Sequence, residues 1–330
     1  MSSSEGRVVL GGASGFMGRA VRAKYLAEGR EVVTIGRSGA DLRWEDQGGI
    51  DAAVDGAALL IGLAGKSVDC RYTRANRAEI FSSRLRTTRA LHRAVSRAAR
   101  PPALWANAST ATIYRHAMDR PQTESDGELG TGFSVEVARA WEDALFEGHL
   151  PTTRRVALRT AIVLGDGGVL GMLRRLATFG ISGTQSDGRW PTTPARRRAG
   201  TAHDPGSRRG RQRFSWIHLD DVLGILDFLE TTPSLAGPVN LSSPHPVDNA
   251  ELMRTVRESL GVRIGVPTPR WMLELGAIGL RTEAELILKS RWVLPERLLA
   301  AGYEFRRPQL ADAVAASFEA VGAPGSAARR

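Results

Sequence analysis

The stretch Val8-Val-Leu-Gly-Gly-Ala-Ser-Gly-Phe-Met-Gly18 decides the fold. Three apolar residues predict a short buried strand, and a helical pattern begins at Phe16. Between them, Gly12, Gly15 and Gly18 recur at a spacing of three. A strand, a glycine turn and a helix N-terminus let a dinucleotide diphosphate approach the backbone, although a purely structural glycine turn is the alternative. The stretch therefore predicts an α/β fold that binds a nucleotide cofactor.

Cysteine content, hydropathy and ligand spacing narrow the class of protein. Cys70 is the one cysteine among 330 residues, so no internal disulfide can form, and we expect a reducing, cytoplasmic compartment. No apolar run is long enough to span a membrane, and residues 1–7 lack the apolar core of a signal peptide, so we expect no membrane partner. The histidines show no metal-ligand spacing, so we expect no metal site.

The formal net charge of +10 is concentrated in one segment. Residues 189–213 carry eight arginines and one acid, Asp204, and so contribute +7. Because a nucleic-acid-binding surface spreads its charge over a folded face, we expect no nucleic-acid partner. Residues 190–211 lack apolar periodicity and contain three prolines, which predicts a disordered surface insertion.

The residues after the second predicted strand, Glu31–Ile35, bear on the choice of cofactor. An NAD-binding sheet usually ends this strand with a carboxylate that holds the ribose 2′-hydroxyl. Here the chain continues with Arg37 and Ser38, whose guanidinium and hydroxyl suit a 2′-phosphate. We therefore predict NADP rather than NAD. The alternative is that Arg37 is a solvated turn residue and Asp41 binds the ribose.

Strands and helices alternate along the rest of the chain. The apolar run Ala57–Gly65 predicts a buried strand whose last residues pass beneath the cofactor. Asp220 or Asp221 is predicted to cap a helix that ends near Glu230. The other predicted strands are Leu104–Ser109, Val156–Leu164, Phe214–His218 and Val239–Leu241, and the other predicted helices cover 73–95, 133–147, 169–179, 249–260, 271–280, 283–288, 295–301 and 309–318.

Two regions follow from this pattern. Residues 1–165 are predicted to form a Rossmann-like, doubly wound parallel sheet that binds NADP and is completed by parts of residues 212–242. Residues 166–330 are predicted to form a smaller, mostly helical region on the substrate side.

Several short stretches together resemble the atypical extended short-chain dehydrogenases called epimerase family proteins, which carry a C-terminal domain of unknown function. The stretches are Gly11–Gly18, Leu63–Gly65, Arg71–Thr73, Ser109–Tyr114, Ala140–Glu142, Leu158–Thr160, Val163–Gly165, Ser215–His218, Asp220–Asp221, Val293–Leu298 and Ala301–Tyr303. With this resemblance, the residues expected to contact the cofactor are Gly12, Ser14, Gly15, Phe16, Met17, Gly18, Arg37, Ser38, Leu63, Ala64, Gly65 and Arg159. The resemblance also implies a homodimer through helices 73–95 and 133–147.

The chain departs from the family pattern at three places. About twenty residues, 190–211, stand where the family runs almost directly into Ser-Trp-Ile-His, near the substrate side of the cleft. An inert insertion and a mobile lid are both open interpretations. Tyr72 replaces a tryptophan and Gly62 an asparagine, which we expect to reshape the pocket wall.

The usual catalytic pair of short-chain reductases, Tyr-x-x-x-Lys, is absent. The four tyrosines are followed, four residues on, by Gly29, Asn76, Met118 and Arg307. The remaining candidates are Thr110, whose hydroxyl would bond a substrate carbonyl, and Tyr114, whose phenol could donate to a substrate oxygen or simply pack at a strand end. Lys66 is either a substitute charge near the nicotinamide or a solvated loop residue.

Two classes of function remain open. One is an NADP-dependent oxidoreductase, or an epimerase of the nucleotide-sugar type, that acts on a small molecule. The other is a catalytically silent NADP-binding sensor or scaffold. A pocket for a second ligand beside the nicotinamide, lined by Thr110, would favour the enzyme.

Overall fold

The computed structural model describes residues 6–178, 180–186, 188, 191, 193–198, 210–279 and 289–322. Its strands are β1 (Val8–Gly11), β2 (Val32–Gly36), β3 (Leu42–Arg43), β4 (Leu59–Gly62), β5 (Leu104–Thr110), β6 (Arg154–Thr160), β7 (Ile162–Leu164), β8 (Arg213–Phe214), β9 (Trp216–His218), β10 (Gly237–Leu241) and β11 (Val247–Asp248). Its helices are α1 (Phe16–Ala27), α2 (Gln47–Val54), α3 (Arg74–Arg97), α4 (Phe133–Phe146), α5 (Gly168–Thr178), α6 (Pro194–Arg198), α7 (Leu219–Thr231), α8 (Asn249–Ser259), α9 (Arg270–Gly279), α10 (Glu296–Ala300) and α11 (Leu310–Gly322).

The central sheet has the strand order β3-β2-β1-β4-β5-β6-β10, and every neighbouring pair is parallel. The order runs outward from β1 on one side and from β4 on the other. In such a sheet a ligand crevice opens at the carboxyl ends of the strands where the order reverses. The predicted doubly wound sheet is therefore confirmed.

Helices cover both faces of the sheet, which is why its strands read as continuous apolar runs. Val8 and Leu10 of β1 point to the face where Val21 of α1 packs, whereas Val9 points to the face of Ile50 in α2. All five side chains are fully buried. The alternation follows from the two-residue period of a strand.

The single strand predicted over Val156–Leu164 is wrong, because the chain changes sheets at Ala161. Strand β6 pairs with β5 and β10, whereas β7 pairs with β9 in a separate two-stranded sheet. The segment Phe214–His218 is divided in the same way, since β8 pairs with β11 instead. These switches carry the chain into a second lobe above the strand ends.

The second lobe has its own apolar core. Leu164 and Trp216 pack there with Leu252 of α8 and Val314 of α11. Within the predicted insertion, the described residues include the short helix α6, where Arg196 forms an ion pair with Glu274. The helix predicted over 283–288 lies outside the described residues, as does most of the insertion.

Helix α7 begins differently from the prediction. His218 is its N-cap, and its Nδ1 accepts a hydrogen bond from the Asp220 amide, 3.1 Å away. The Asp221 carboxylate is instead fully buried and accepts bonds from the amides of Arg306 and Arg307. Asp221 thus ties α7 to the chain that leads into α11. No helix in the described part of the chain has the length and hydropathy needed to cross a bilayer.

Candidate functional site

Two glycines of the turn after β1 are required by the protein itself. Gly12 has a φ of +87°, and a Cβ there would lie 2.8 Å from the main-chain nitrogen of Ala64. A Cβ on Gly18 would lie 2.2 Å from the carbonyl oxygen of Gly12. Both positions exclude a side chain because the turn folds tightly against α1 and the end of β4.

Gly15 differs from both, because nothing in the protein requires a glycine there. Its φ of −71° and ψ of 169° suit any residue, and a Cβ would come no closer than 3.5 Å to the oxygen of Gly12. The missing side chain instead leaves the start of α1 open. This is the condition under which a ligand can reach the helix backbone.

Within the described part of the chain, the N-terminus of α1 has neither a side-chain cap nor an acidic residue in its first turn. Gly15 occupies the N-cap position. The first amides of a helix lack intrahelical acceptors, and the helix dipole adds positive potential at this end. A diphosphate is the kind of group that these features bind.

This end of α1 opens into a cavity of about 1480 Å³. Ser14 and Phe16 line it from the glycine turn, and Ser38 lines it from the loop after β2. The loop 165–168 and residues 218–220 also line it. No cofactor contact was predicted in either of these last two segments. The glycines at 165, 167 and 168 were a signal of such a contact in the sequence.

The loop after β2 has its carboxylate, Asp41, hydrogen-bonded to the strand although the residue is exposed. The Asp41 Oδ2 accepts hydrogen bonds from the Thr34 amide at 2.8 Å and the Thr34 hydroxyl at 2.7 Å. The hydroxyl bond, followed by the amide bond, holds the pKa of Asp41 below its ordinary value. Arg37 and Ser38 are exposed in the same loop, and Arg22 of α1 lines the cavity near Asp41. Arg22 was missed from sequence.

The next expected cofactor contacts are Leu63 and Gly65, which follow β4, and Met17 in α1. The Leu63 amide donates to the carbonyl of Gly11 at 2.8 Å. The side chains of Leu63 and Met17 pack against the main core. Gly65 lies beside the Arg84 side chain. The Leu63 and Met17 side chains are only partly buried there.

A second cavity, of about 500 Å³, lies over the ends of the central strands. Thr110 and Thr160, the last residues of β5 and β6, line its floor, and Gly168 lines both cavities. The Thr110 hydroxyl accepts from the Thr112 amide and donates to the Thr112 hydroxyl, each at 3.1 Å. A substrate oxygen could replace the Thr112 hydroxyl as its acceptor.

Tyr114, the second catalytic candidate, is buried and lines neither of the two cavities. Its side chain is 2% exposed. The hydroxyl donates to Asn240 Oδ1 at 3.0 Å and accepts from Arg159 Nη1 at 2.9 Å. Burial raises its pKa above the ordinary value, which opposes ionisation. This burial favours the alternative interpretation, a packed aromatic at a strand end, over a catalytic phenol.

Arg159, an expected cofactor contact, has each of its side-chain nitrogens bonded within the protein. Its Nε and Nη2 donate to the two oxygens of Glu142 at 2.9 and 2.7 Å, and its Nη1 donates to Tyr114. Glu142 also accepts from the Ser109 hydroxyl at 2.6 Å. All three guanidinium nitrogens thus serve a buried network between β5, β6 and α4, and we assign Arg159 to that network.

Lys66 is the remaining candidate that was predicted from the sequence. Lys66 lines neither cavity, and its carbonyl accepts from Arg84. Among the residues that the structure describes, no cluster of histidine, cysteine or acidic side chains could hold a metal ion.

The fold and the two cavities define the class: a Rossmann-type nucleotide-binding protein with a covering second lobe. Residues 8–133 match the NAD dependent epimerase/dehydratase family, and residues 268–317 match a domain of unknown function, DUF1731. The chain is 31% identical over 317 residues to the Epimerase family protein SDR39U1 of Bos taurus, covering 93% of this chain and 98% of that protein. It therefore belongs to the epimerase family proteins, within the NAD(P)-dependent short-chain dehydrogenase type.

Solved structures agree with this assignment. Human epimerase family protein SDR39U1 (isoform 2), crystallised with NADPH, matches with a TM-score of 0.80 and 27% identity, covering 95% of this chain and 99% of that chain. The Bordetella bronchiseptica enzyme WbmG, in complex with NAD, matches with a TM-score of 0.72 at 15% identity, covering 96% and 94%, and shows likeness of fold alone.

Proposed function

We propose that this protein binds NADPH in the large cavity and is an oxidoreductase or epimerase that acts on a small molecule in the second cavity. The observation that carries the proposal is the uncapped N-terminus of α1, where Ser14 and Phe16, on either side of Gly15, line the large cavity. The relative crystallised with NADPH supports the choice of cofactor.

The residues suggest how NADPH would lie. The diphosphate would rest on the amides after Gly15, and the 2′-phosphate would lie by Arg37 and Ser38. Asp41 is occupied by Thr34, which favours its role as a support of the loop over the alternative role as a ribose ligand. The nicotinamide would lie toward residues 63–65 and the second cavity.

The second cavity supports an enzyme over a silent binder. It offers room for another ligand, and Thr110 lines it. When bound, NADPH supplies a hydride from C4 of its nicotinamide. Thr110 would donate a hydrogen bond to the substrate carbonyl oxygen and so hold the carbon that receives the hydride.

The silent sensor or scaffold remains the second candidate for two reasons. The phenol of Tyr114 is buried in a hydrogen-bonded network, so it is not available as a proton donor in the second cavity. The Tyr-x-x-x-Lys pair is also absent from the sequence. Proton transfer would have to use water or another group.

Calorimetric titration with NADPH and NADH tests the cofactor, and Arg37→Ala tests the 2′-phosphate contact. We expect the wild-type protein to prefer NADPH. A charged hydrogen bond contributes about 1.5–3 kcal/mol, so we expect Arg37→Ala to weaken NADPH about tenfold or more and leave NADH unchanged. A wild-type preference for NADH would contradict the proposal.

Activity is tested separately, by following NADPH oxidation with a panel of carbonyl compounds. We expect at least one compound to be reduced, and Thr110→Val to slow that reduction without weakening NADPH binding. Tight NADPH binding with no turnover of any compound would favour the silent binder.

A further inference from the structure

We propose that the second cavity binds a small organic anion, with a carboxylate or phosphate group and an apolar body. This inference rests on the proposed function, because it names the substrate class of the site beside the cofactor. The residues that support it lie in the second lobe, and none of them is a predicted cofactor contact.

Cationic side chains outnumber acidic ones around this cavity. Arg213, Lys289 and Arg291 line it, whereas Asp69, on the exposed loop after β4, is the one acid among the described residues that line it. Lys289 is 9% exposed and Arg291 is 8% exposed. Both residues have partners within the protein, so their part in the site is the positive charge that they add to the wall.

Arg213 is the cation best placed to bind an anion. Its guanidinium lies 4.5 Å from the centre of the Trp292 ring. Its amide donates to the Ser290 hydroxyl, and its carbonyl accepts from the Arg291 amide, so its backbone is fixed. Within the described part of the chain, no carboxylate forms an ion pair with Arg213. A stacked guanidinium with free donors suits a planar carboxylate or a phosphate.

Another part of the wall, beside polar residues such as Gln185 and Asn249, combines apolar side chains with an unfilled acceptor. Met172, Leu173 and Phe214 line the cavity. Gln212 is 2% exposed and donates from Nε2 to the Gln185 carbonyl, while its Oε1 has no hydrogen-bond partner. A buried acceptor without a partner is costly, and a ligand hydroxyl would satisfy it.

These features place the two ends of the ligand. The cations belong to β8 and residues 289–291, in the second lobe, and Thr110 belongs to the floor. The anion would therefore be held by the second lobe, and the carbon that reacts would lie over the end of β5.

The test uses the full chain saturated with NADPH, so that the phosphate-binding end of α1 is filled. The probes are mandelate and phenyl phosphate, and mandelamide is the neutral counterpart of mandelate. Calorimetry is run on the wild type, on Arg213→Gln and Arg213→Lys, and on Arg175→Gln, which removes an exposed arginine from α5. Thermal unfolding of each variant shows whether it is folded.

We expect both anions to bind the wild type saturably in the millimolar range or better, with mandelamide at least about tenfold weaker. Arg213→Gln should weaken both anions about tenfold, Arg213→Lys should weaken them less, and Arg175→Gln should have no effect. Equal binding of mandelate and mandelamide would overturn the proposal, as would no saturable anion binding or no loss in folded Arg213→Gln. The NADPH affinity of the same samples separates these results from a failure of the proposed cofactor.

Discussion

At the scale of single residues, the Tyr114 hydroxyl lies between a buried donor and a buried acceptor. Arg159 donates to it, and it donates to Asn240. Asn240 is itself fixed, since its amide donates to Glu124 and its side chain to the Leu294 carbonyl. Tyr114 therefore joins β6 to β10, and we propose that it contributes to stability.

Tyr114→Phe tests this structural role. The substitution leaves one donor on Arg159 and the Asn240 oxygen unsatisfied, so we expect the free energy of unfolding to fall by about 1–3 kcal/mol. Urea unfolding measures that change, and calorimetry should show unchanged NADPH affinity. Unchanged stability together with lost NADPH-dependent turnover would instead make Tyr114 catalytic.

The hydrogen bonds from Thr34 are expected to set the pKa of Asp41. Its two hydrogen bonds favour the ionised form of Asp41, whose folded-state pKa therefore lies below the ordinary value of 3.8. The stability from these bonds is present above pH 3.8 and is lost as the pH falls through the lower folded-state pKa. Thr34→Val removes the hydroxyl bond and should move the Asp41 pKa back toward 3.8, as measured by carboxyl NMR. An identical pKa in both proteins would contradict this assignment.

At the scale of elements, the ion pair between Glu142 and Arg159 joins α4 to β6. Both side chains are 10% exposed, and the pair is bidentate. Ser109 of β5 adds a third bond to Glu142. The pair holds α4 against β5 and β6, which end at the second cavity. Helix α4 is the one that would carry the missing Tyr-x-x-x-Lys.

Glu142→Gln tests the importance of this pair. Removing one partner leaves the buried Arg159 charge uncompensated, so we expect a loss of about 3–5 kcal/mol in the free energy of unfolding. Glu136→Gln, at an exposed position on the same helix, is the matched control and should change stability by less than about 0.5 kcal/mol. Similar urea midpoints for the two variants would show that the ion pair contributes little.

At the scale of the whole molecule, the sheet was predictable because its signals are local. Continuous apolar runs and a glycine turn specify buried parallel strands and the first helix without knowledge of distant contacts. The sheet switch at Ala161 was not predictable, because residues 156–164 read as one mainly apolar run and only tertiary pairing with β9 divides them.

The candidate site divides in the same way. The turn around Gly15 was visible from spacing, and its openness agrees with the predicted cofactor site. The burial of Tyr114 and the pairing of Arg159 depend on α4 and β10 meeting the ends of β5 and β6, which no local pattern encodes. The cations of the second cavity come from β8 and residues 289–291, which only the fold brings together. The homodimer through α3 and α4 stays a prediction.

The start of α1 is proposed to bind the diphosphate of NADPH, and Gly15→Ser is the variant that tests this binding. Serine suits the extended N-cap conformation and would cap α1, so we expect unfolding stability to be unchanged or slightly higher. Its side chain would occupy the space of the diphosphate at a cost of about 1–3 kcal/mol. Gly48→Ser, at an exposed position in α2 with 3.9 Å of clearance, is the control.

The deciding measurement is the dissociation constant of NADPH, by calorimetry, for the wild type and these two variants. We predict saturable binding to the wild type and Gly48→Ser, and a dissociation constant about tenfold higher or more for folded Gly15→Ser. Equal affinity in all three proteins, or no binding of NADPH or NADH to the wild type, would contradict the account.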